Sequence, residues 1–360
     1  MRRTNLYIDF HIVQTVPPSC INRDDTGTPK TCTYGGTTRA RVSSQAWKHA
    51  MREAFRQEFD AEKIGSRTKH VQELLAGKIR EISSLSEEDA MKKATEVLKD
   101  AGLSVSEKTN TLDTLLFISE DQLKALAKCA CEAGDKKGKE SKEAYKHALK
   151  ENPSVDMVLF GRMIASDPSL NYDAAAQVAH AISTHALQQE YDYFTAVDDC
   201  SPEDNAGAGH IGTTEFCSET LYRYASVNVA ELESHLGADS AEAVTGFAKA
   251  LILSMPTGKQ STFANRTIPD LVYVTVRRDQ PVNLCGAYEK AVPASKNGYV
   301  EESEKRLFSY AKKVYEDFVD QPEAEYLIGG EESGRNGVTL KELLSALEET
   351  VKSYTRELSD

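Results

Sequence analysis

Arg39, Arg41, Lys48 and Arg52 stand in a run with no acidic residue between Thr26 and Arg52, in a chain whose formal net charge is -13. A polar loop, Ser19 to Asp25, precedes them with Asn22, Arg23, Asp24 and Asp25, and a glycine turn, Tyr34-Gly35-Gly36, divides loop from cations. The run ends in a helical pattern. Ser43 or Ser44 can cap it, because a serine oxygen accepts a backbone N–H of the first turn. Trp47, Ala50, Met51, Ala54 and Phe55 recur as one apolar stripe, while Gln45, Lys48, Arg52 and Arg56 fall on another face. Unpaired N–H groups, the positive end of the helix dipole and nearby Lys and Arg together suit phosphate. The competing reading is a solvated basic face on an ordinary amphipathic helix.

A second chemistry is available to carboxylates. Asp24-Asp25 and Asp198-Asp199 could hold Mg²⁺ for phosphodiester cleavage. Neighbouring aspartates usually point apart, however, and Asp24 or Asp25 serves as well to orient Arg23 or close a turn. The reading is therefore non-catalytic, with no metal and no cofactor. The segment MPTGKQST fails as a phosphate loop, since Leu253 replaces its first glycine and Gln260 its magnesium-binding hydroxyl. Lys259, Gln260, Thr262 and Asn265 remain as backbone contacts, or as parts of a connecting loop. His180 and His185 are five apart, off one helical face, and read as structural.

The elements that must position these residues begin with residues 5–15, whose alternation predicts a strand with one buried face and His11 on the polar side. Residues 60–190 are helix-prone and lysine-rich, with hardly a strand candidate. SLSEEDAMKKATEVLKD and SEDQLKALAKCACEAG read as capped helices, and DAAAQVAHAISTHAL as a strong helix. Lys136, Lys137, Lys139, Lys142 and Lys146 follow the second of these, balanced by Glu140 and Glu143 as on a solvated face. YFTAVDD and TTEFCSETLYRYASVNV read as a strand pair with a long turn-rich tip. A helix at ADSAEAVTGFAKALILSM, a last clear strand at 271–279 and surface helices over 300–319 and 339–358 complete the chain. With the helical block removed, the order is strand, helix, strand, strand, helix, strand, the ferredoxin-like arrangement.

The 360 residues, 40% hydrophobic and 28% charged, describe a globular protein. The acidic balance argues against non-specific coating of nucleic acid but allows a local basic groove. Seven scattered cysteines without a C-x-x-C pair fit reduced thiols, hence a cytoplasmic localisation. No secretory signal and no apolar span for a membrane is expected.

SCINRDD, YGG and RARVSSQAWKHAMR, followed by SRTKH at 66–70, FGRM at 160–163, AHAISTH at 179–185 and HIGTTEFCSETLYRYASVNV, resemble the type I-E CRISPR Cascade backbone subunit, the CasC family. The resemblance implies an α/β (α+β) fold: an RRM-like ferredoxin-fold palm with a helical fingers insertion and a β-hairpin thumb. Its boundaries are palm at 1–58, fingers at 59–190, a palm strand at 191–197, thumb at 198–212, and the rest of the palm with C-terminal helices at 213–360. It implies guide-RNA contacts from Asn22, Arg23, Lys30, Arg39, Arg41, Ser43, Gln45, Lys48 and Arg52, and from Arg67, His70, Met163 and Ser166 near an RNA kink. Lys259 and Gln260 join this set on their loop position. The resemblance also implies a DNA-recruiting patch at Lys136, Lys137, Lys139 and Lys142. The expected partners are CRISPR RNA, target DNA, further copies in a helical filament and other Cascade subunits, in antiviral defence. Thr37-Thr38 departs from the family, where this pair is often basic. An alternative on the same scaffold is a metal-dependent ribonuclease using Asp24 and Asp25.

Overall fold

A computed structural model describes residues 5–106, 109, 111–133, 138–196, 210–330 and 337–359. The chain divides into two compact units. The first comprises Met1–Met51, Val178–Ser226 and Phe247–Leu347; the second comprises Arg52–Gln177, Val227–Gly246 and Glu348–Asp360.

The first unit is built on a sheet that includes strands β1 (Tyr7–Ser19), β2 (Thr31–Tyr34), β3 (Thr37–Val42), β4 (Ala181–Ser183), β5 (Glu190–Ala196), β6 (His210–Asn228), β7 (Leu271–Arg277) and β8 (Ala324–Gly329). Its order is β8-β7-β1-β6-β4-β3-β2, with β5 paired to β6. The β2–β3 hairpin turns on Gly35 and Gly36, both at positive φ, as a two-residue turn of type I′ requires. A Cβ on Gly35 would lie 1.6 Å from the Glu289 carbonyl oxygen, so glycine is needed there twice over. β5 and β6 pair as the expected hairpin, Tyr191 opposite Glu215 and Ala196 opposite His210. The tip that joins them, with Asp198 and Asp199, lies outside the described residues.

Three expectations are corrected. β1 is buried on both faces, because helix Val300–Asp317 and the turn Leu284–Tyr288 cover the side that carries Asp9 and His11. His11 Nδ1 bonds to the Tyr222 hydroxyl at 2.9 Å, and burial pushes its imidazole down to about 3, so the ring is neutral. The alanine-rich segment at 173–187 is not a helix. Its residues Ala181–Ser183 form β4, wedged between Arg41–Val42 of β3 and Leu221–Tyr222 of β6, where pairing on both sides outweighs the helix propensity of alanine. β8 is a strand beyond the last one expected; it continues the sheet by pairing with β7, Val272 opposite Ile328.

Asp9 makes the stability of this unit depend on pH. Its carboxylate accepts from the Tyr224 hydroxyl at 2.9 Å and from Val282 N–H at 2.8 Å. Burial nevertheless dominates and raises it from 3.8 to about 6. Between those values the folded chain keeps a proton that the unfolded chain has released, so the contribution favours folding at low pH and is lost as pH rises. Urea midpoints from pH 4 to 6.5 should fall by the equivalent of about 2 kcal/mol more in the parent than in Asp9→Asn. Parallel slopes would show that Asp9 does not titrate in this window.

The second unit packs helices Val71–Ile82, Glu87–Asp100, Glu120–Ala133 and Lys139–Lys150 around Leu75, Ile79, Ala94, Leu98, Leu126 and Leu149. The Ser86 hydroxyl accepts from Asp89 N–H and that of Ser119 from Gln122 N–H, as the sequence predicts for capped helices. Short strands are present here after all: Ser66–Thr68 pairs with Leu116–Ile118, and Val105–Ser106 with Thr111–Leu112.

Candidate nucleic-acid interface

In the first unit, the loop after β1 is closed by its own polar groups. Asn22 Oδ1 accepts from Ser43 N–H at 2.9 Å, and the Asn22 carbonyl from Lys30 N–H at 2.9 Å. The Lys30 carbonyl in turn accepts from Arg41 N–H at 2.9 Å. These bonds fix loop, strand and helix start as one piece. Ser43 supplies the cap: its hydroxyl accepts from Ala46 N–H at 3.3 Å as the helix α1 (Ser44–Glu58) begins, and no acid stands in the first turn. Beneath, Trp47 packs with Val16, Ile21, Val42, Leu221 and Met255. The Arg223 guanidinium lies 3.6 Å from the Trp47 ring centre.

Arg23 and Gln45 are exposed, and Lys30, Arg41 and Lys48 are half-buried. Burial holds the Lys48 ammonium below its ordinary value. Arg41 donates from Nε to the Thr31 carbonyl at 3.0 Å and faces His180 Nδ1 from Nη1 at 3.2 Å. A guanidinium can only donate, so Nδ1 is the acceptor and the ring proton sits on Nε2. Partial burial, then Arg41 and Lys30, hold the imidazole below its usual value and keep it neutral. His180 is thus not the structural residue its spacing suggests. It is an exposed member of this cationic group, and only the unexpected strand β4, which pairs with β3, brings it there.

The loop of Lys259 joins the same surface. Lys259 sits at φ 46°, a left-handed conformation uncommon for lysine, and Nζ donates to Thr214 Oγ1 at 3.1 Å. A Cβ on Gly258 would lie 2.2 Å from the Ile21 carbonyl oxygen, so the two loops touch backbone to backbone. Gln260, half-buried, opens the short helix that follows.

Arg39 leaves the candidate set. Its side chain is fully buried, with Nη1 on the Ser183 and Thr184 carbonyls, Nη2 on those of Tyr288 and Glu289, and Nε on Thr37 Oγ1. Nothing of its fork remains for a ligand.

Asp24 Oδ1 accepts from Thr26 N–H, Thr26 Oγ1 and Thr28 N–H at 2.9, 2.8 and 3.0 Å. The Thr26 hydroxyl leads in holding this carboxylate below its ordinary value. Asp24 is thus the turn-former of its loop. Among the described residues no three His, Cys, Asp or Glu gather as a metal would require.

In the second unit, Arg52 donates from Nε to the fully buried Asp156 at 3.0 Å and from Nη2 to the Gly65 carbonyl at 3.2 Å, its guanidinium 4.6 Å from the Phe117 ring centre. It is therefore largely committed inside the protein. Arg67 is exposed on the strand Ser66–Thr68, and His70 faces Glu73 at 3.2 Å. Met163 is 82% exposed and Ser166 exposed, whereas their neighbour Arg162 is buried. Of the lysine patch, Lys136 and Lys137 lie outside the described residues. Lys139 stands 3.8 Å from Glu143, Lys142 3.4 Å from Asp100 and Lys146 2.5 Å from Asp167.

Residues 8–353 match the family model Cas_CT1975, described as CT1975-like protein. Among solved structures, a chain of a "CRISPR RNA-guided surveillance complex, pre-nicking" is 31% identical, with a TM-score of 0.82 over 96% of this chain and 100% of that one. A chain of a "CRISPR RNA-guided surveillance complex" is 29% identical, with a TM-score of 0.61 over 96% of this chain and 99% of that one. No curated protein sequence gives a match.

Proposed function

Because the chain belongs to the Cas_CT1975 family along nearly its whole length, we propose that it is the guide-RNA-binding backbone subunit of a type I-E, DNA-targeting CRISPR surveillance complex. In this reading it is non-catalytic, polymerises along CRISPR RNA in the cytoplasm and presents it for R-loop formation with target DNA. The similarity to chains of RNA-guided surveillance complexes supports the complex and the RNA. The sheet order β7-β1-β6-β4, with α1 and helix Ser240–Leu253 in the connections, supports the RRM-like ferredoxin palm.

One observation carries the RNA reading: Arg23, Lys30, Arg41, neutral His180, Gln45, Lys48 and Lys259 border an acid-free helix start. Such donors address phosphates and 2′-hydroxyls, not base edges, as a holder of any guide must. Sequence reading then falls to base pairing. The ribonuclease alternative is not adopted, since Asp24 is spent on its own turn.

Lys30→Ala with Arg41→Ala should weaken RNA binding about equally for guides of unrelated sequence. It should also shrink the slope of log affinity against log salt by ~0.7 for each phosphate no longer neutralised. Filter binding across a salt series with three unrelated guides checks both; a loss confined to one guide would sink the reading. A head-to-tail filament needs RNA in this scheme, so nuclease treatment should return the protein to single copies.

A further inference from the structure

The described cysteines are free thiols. Cys20 and Cys217 are buried, and Cys129 and Cys131 are two apart on one helix, where side chains do not face each other. Cys32 and Cys285 differ from these. Each is half-buried, within reach of solvent, and both belong to the first unit although they are far apart in the chain.

The fold brings them together. Cys32 stands opposite Arg39 in the β2–β3 hairpin, so both side chains share one face with Tyr34, two residues on. That face packs against the turn Leu284–Tyr288. The Tyr34 hydroxyl donates to the Cys285 carbonyl at 3.3 Å, and Arg39 Nη2 donates to the Tyr288 carbonyl at 2.9 Å. The turn is itself held firm, since Leu284 and Tyr288 are fully buried and Asn283 Oδ1 accepts from Cys285 N–H at 2.9 Å. Burial raises both thiols above their ordinary value. Arg41 and then Arg39 oppose this at Cys32; Tyr34 and then Arg39 oppose it at Cys285, where Cys32 adds to the rise. The two sulfurs thus feel the same guanidinium, which favours the reactive thiolate.

We propose that Cys32 and Cys285 form an oxidisable thiol pair, which a low-molecular-weight disulfide converts into a covalent tie between the β2–β3 hairpin and the turn Leu284–Tyr288. One thiolate attacks the small disulfide, forming a mixed disulfide and releasing one small thiol. The second thiolate attacks the protein sulfur of that mixed disulfide, forming the Cys32–Cys285 bond and releasing the other small thiol. Each protein thiol gives up its proton, and the electron pair ends on the two small thiols. The pair stays reduced in a reducing thiol pool and joins under oxidative challenge. The tie needs no RNA contact and forms whether or not the cradle takes a guide.

The test uses full-length protein freed of nucleic acid, incubated with oxidised glutathione at mildly alkaline pH, where thiolates are populated. After acid quenching, the remaining thiols are alkylated and the peptides mapped. The number of alkylatable thiols should fall by two, and the peptides carrying Cys32 and Cys285 should be recovered joined until dithiothreitol is added. By restraining the unfolded chain, the tie should raise the melting temperature by about 5 °C, reversibly with reductant. Cys32→Ser, a change on a short edge strand, should instead leave glutathione on Cys285 as a mixed disulfide, with no gain in melting temperature. The proposal is overturned if both thiols stay alkylatable, if each ends with its own glutathione, or if either is joined to a different cysteine.

Discussion

Arg39→Ala should unfold the first unit far more readily than it weakens RNA binding, lowering stability by about 4 kcal/mol. Four carbonyls, of Ser183, Thr184, Tyr288 and Glu289, lose the Arg39 donors at once, that of Thr184 keeping only the Val292 N–H among them, around a side chain that is fully buried. A buried acceptor left unpaired costs about 1–3 kcal/mol, and relaxation or water entry recovers part of the sum. Arg39→Lys should rescue little, because a single ammonium cannot span carbonyls on two separate segments. Urea unfolding monitored by the fluorescence of Trp47, the one tryptophan, is the direct measurement. Were Arg39 instead an RNA clamp, the substitution would leave the unfolding midpoint in place and cut affinity.

The second large effect is expected at Arg162→Met. Its guanidinium sends Nε and Nη2 to the Leu170 carbonyl, Nη2 also to that of Leu149, and Nη1 to the Phe117 carbonyl and Gln122 Oε1. It lies 4.9 Å from the centre of the Tyr172 ring. Burial pulls its pKa down to about 10, so it is still charged at neutral pH, and the acceptors around it answer that charge. One side chain thus ties together the helix Lys139–Lys150, the strand Leu116–Ile118 and the turn at Pro168–Leu170. Methionine fills much of the volume but offers no donor, so a loss of about 3–5 kcal/mol is expected. Protease susceptibility of residues 52–177 should rise while that of the β-rich unit stays as it was. Equal rises in both would show that Arg162 does not act locally.

Those two arginines also mark where sequence reasoning stops. Arg39 and Arg41 are two apart on β3, so the strand period gives them the same side. What separates them is Tyr288–Glu289, far along the chain, which covers Arg39 and leaves Arg41 nearer the surface. No local pattern carries that information. The same holds for His180: its helix-like surroundings in sequence become a strand because β3 and β6 take its neighbours as partners. By contrast, the capped helices after Ser86 and Ser119, the serine cap of α1 and the β5–β6 hairpin follow from nearest-neighbour chemistry, and there expectation and structure agree. The acid-free run located the cradle as a region. Which of its cations face outward is decided by packing, with Arg39 taken into the interior and Arg52 bound to Asp156.

The cradle hairpin joins its sheet through β4, a strand of three residues. The buried Arg39 of the same hairpin holds the Ser183, Thr184, Tyr288 and Glu289 carbonyls, so opening this seam would break those bonds too, and seam and hairpin open as one cooperative piece. In the reading proposed above, RNA that binds only the closed hairpin and closure of the seam would reinforce each other by equal factors. Were the chain to bind a guide as proposed, its affinity would then depend partly on the pairing of Ala181–Ser183 with β3.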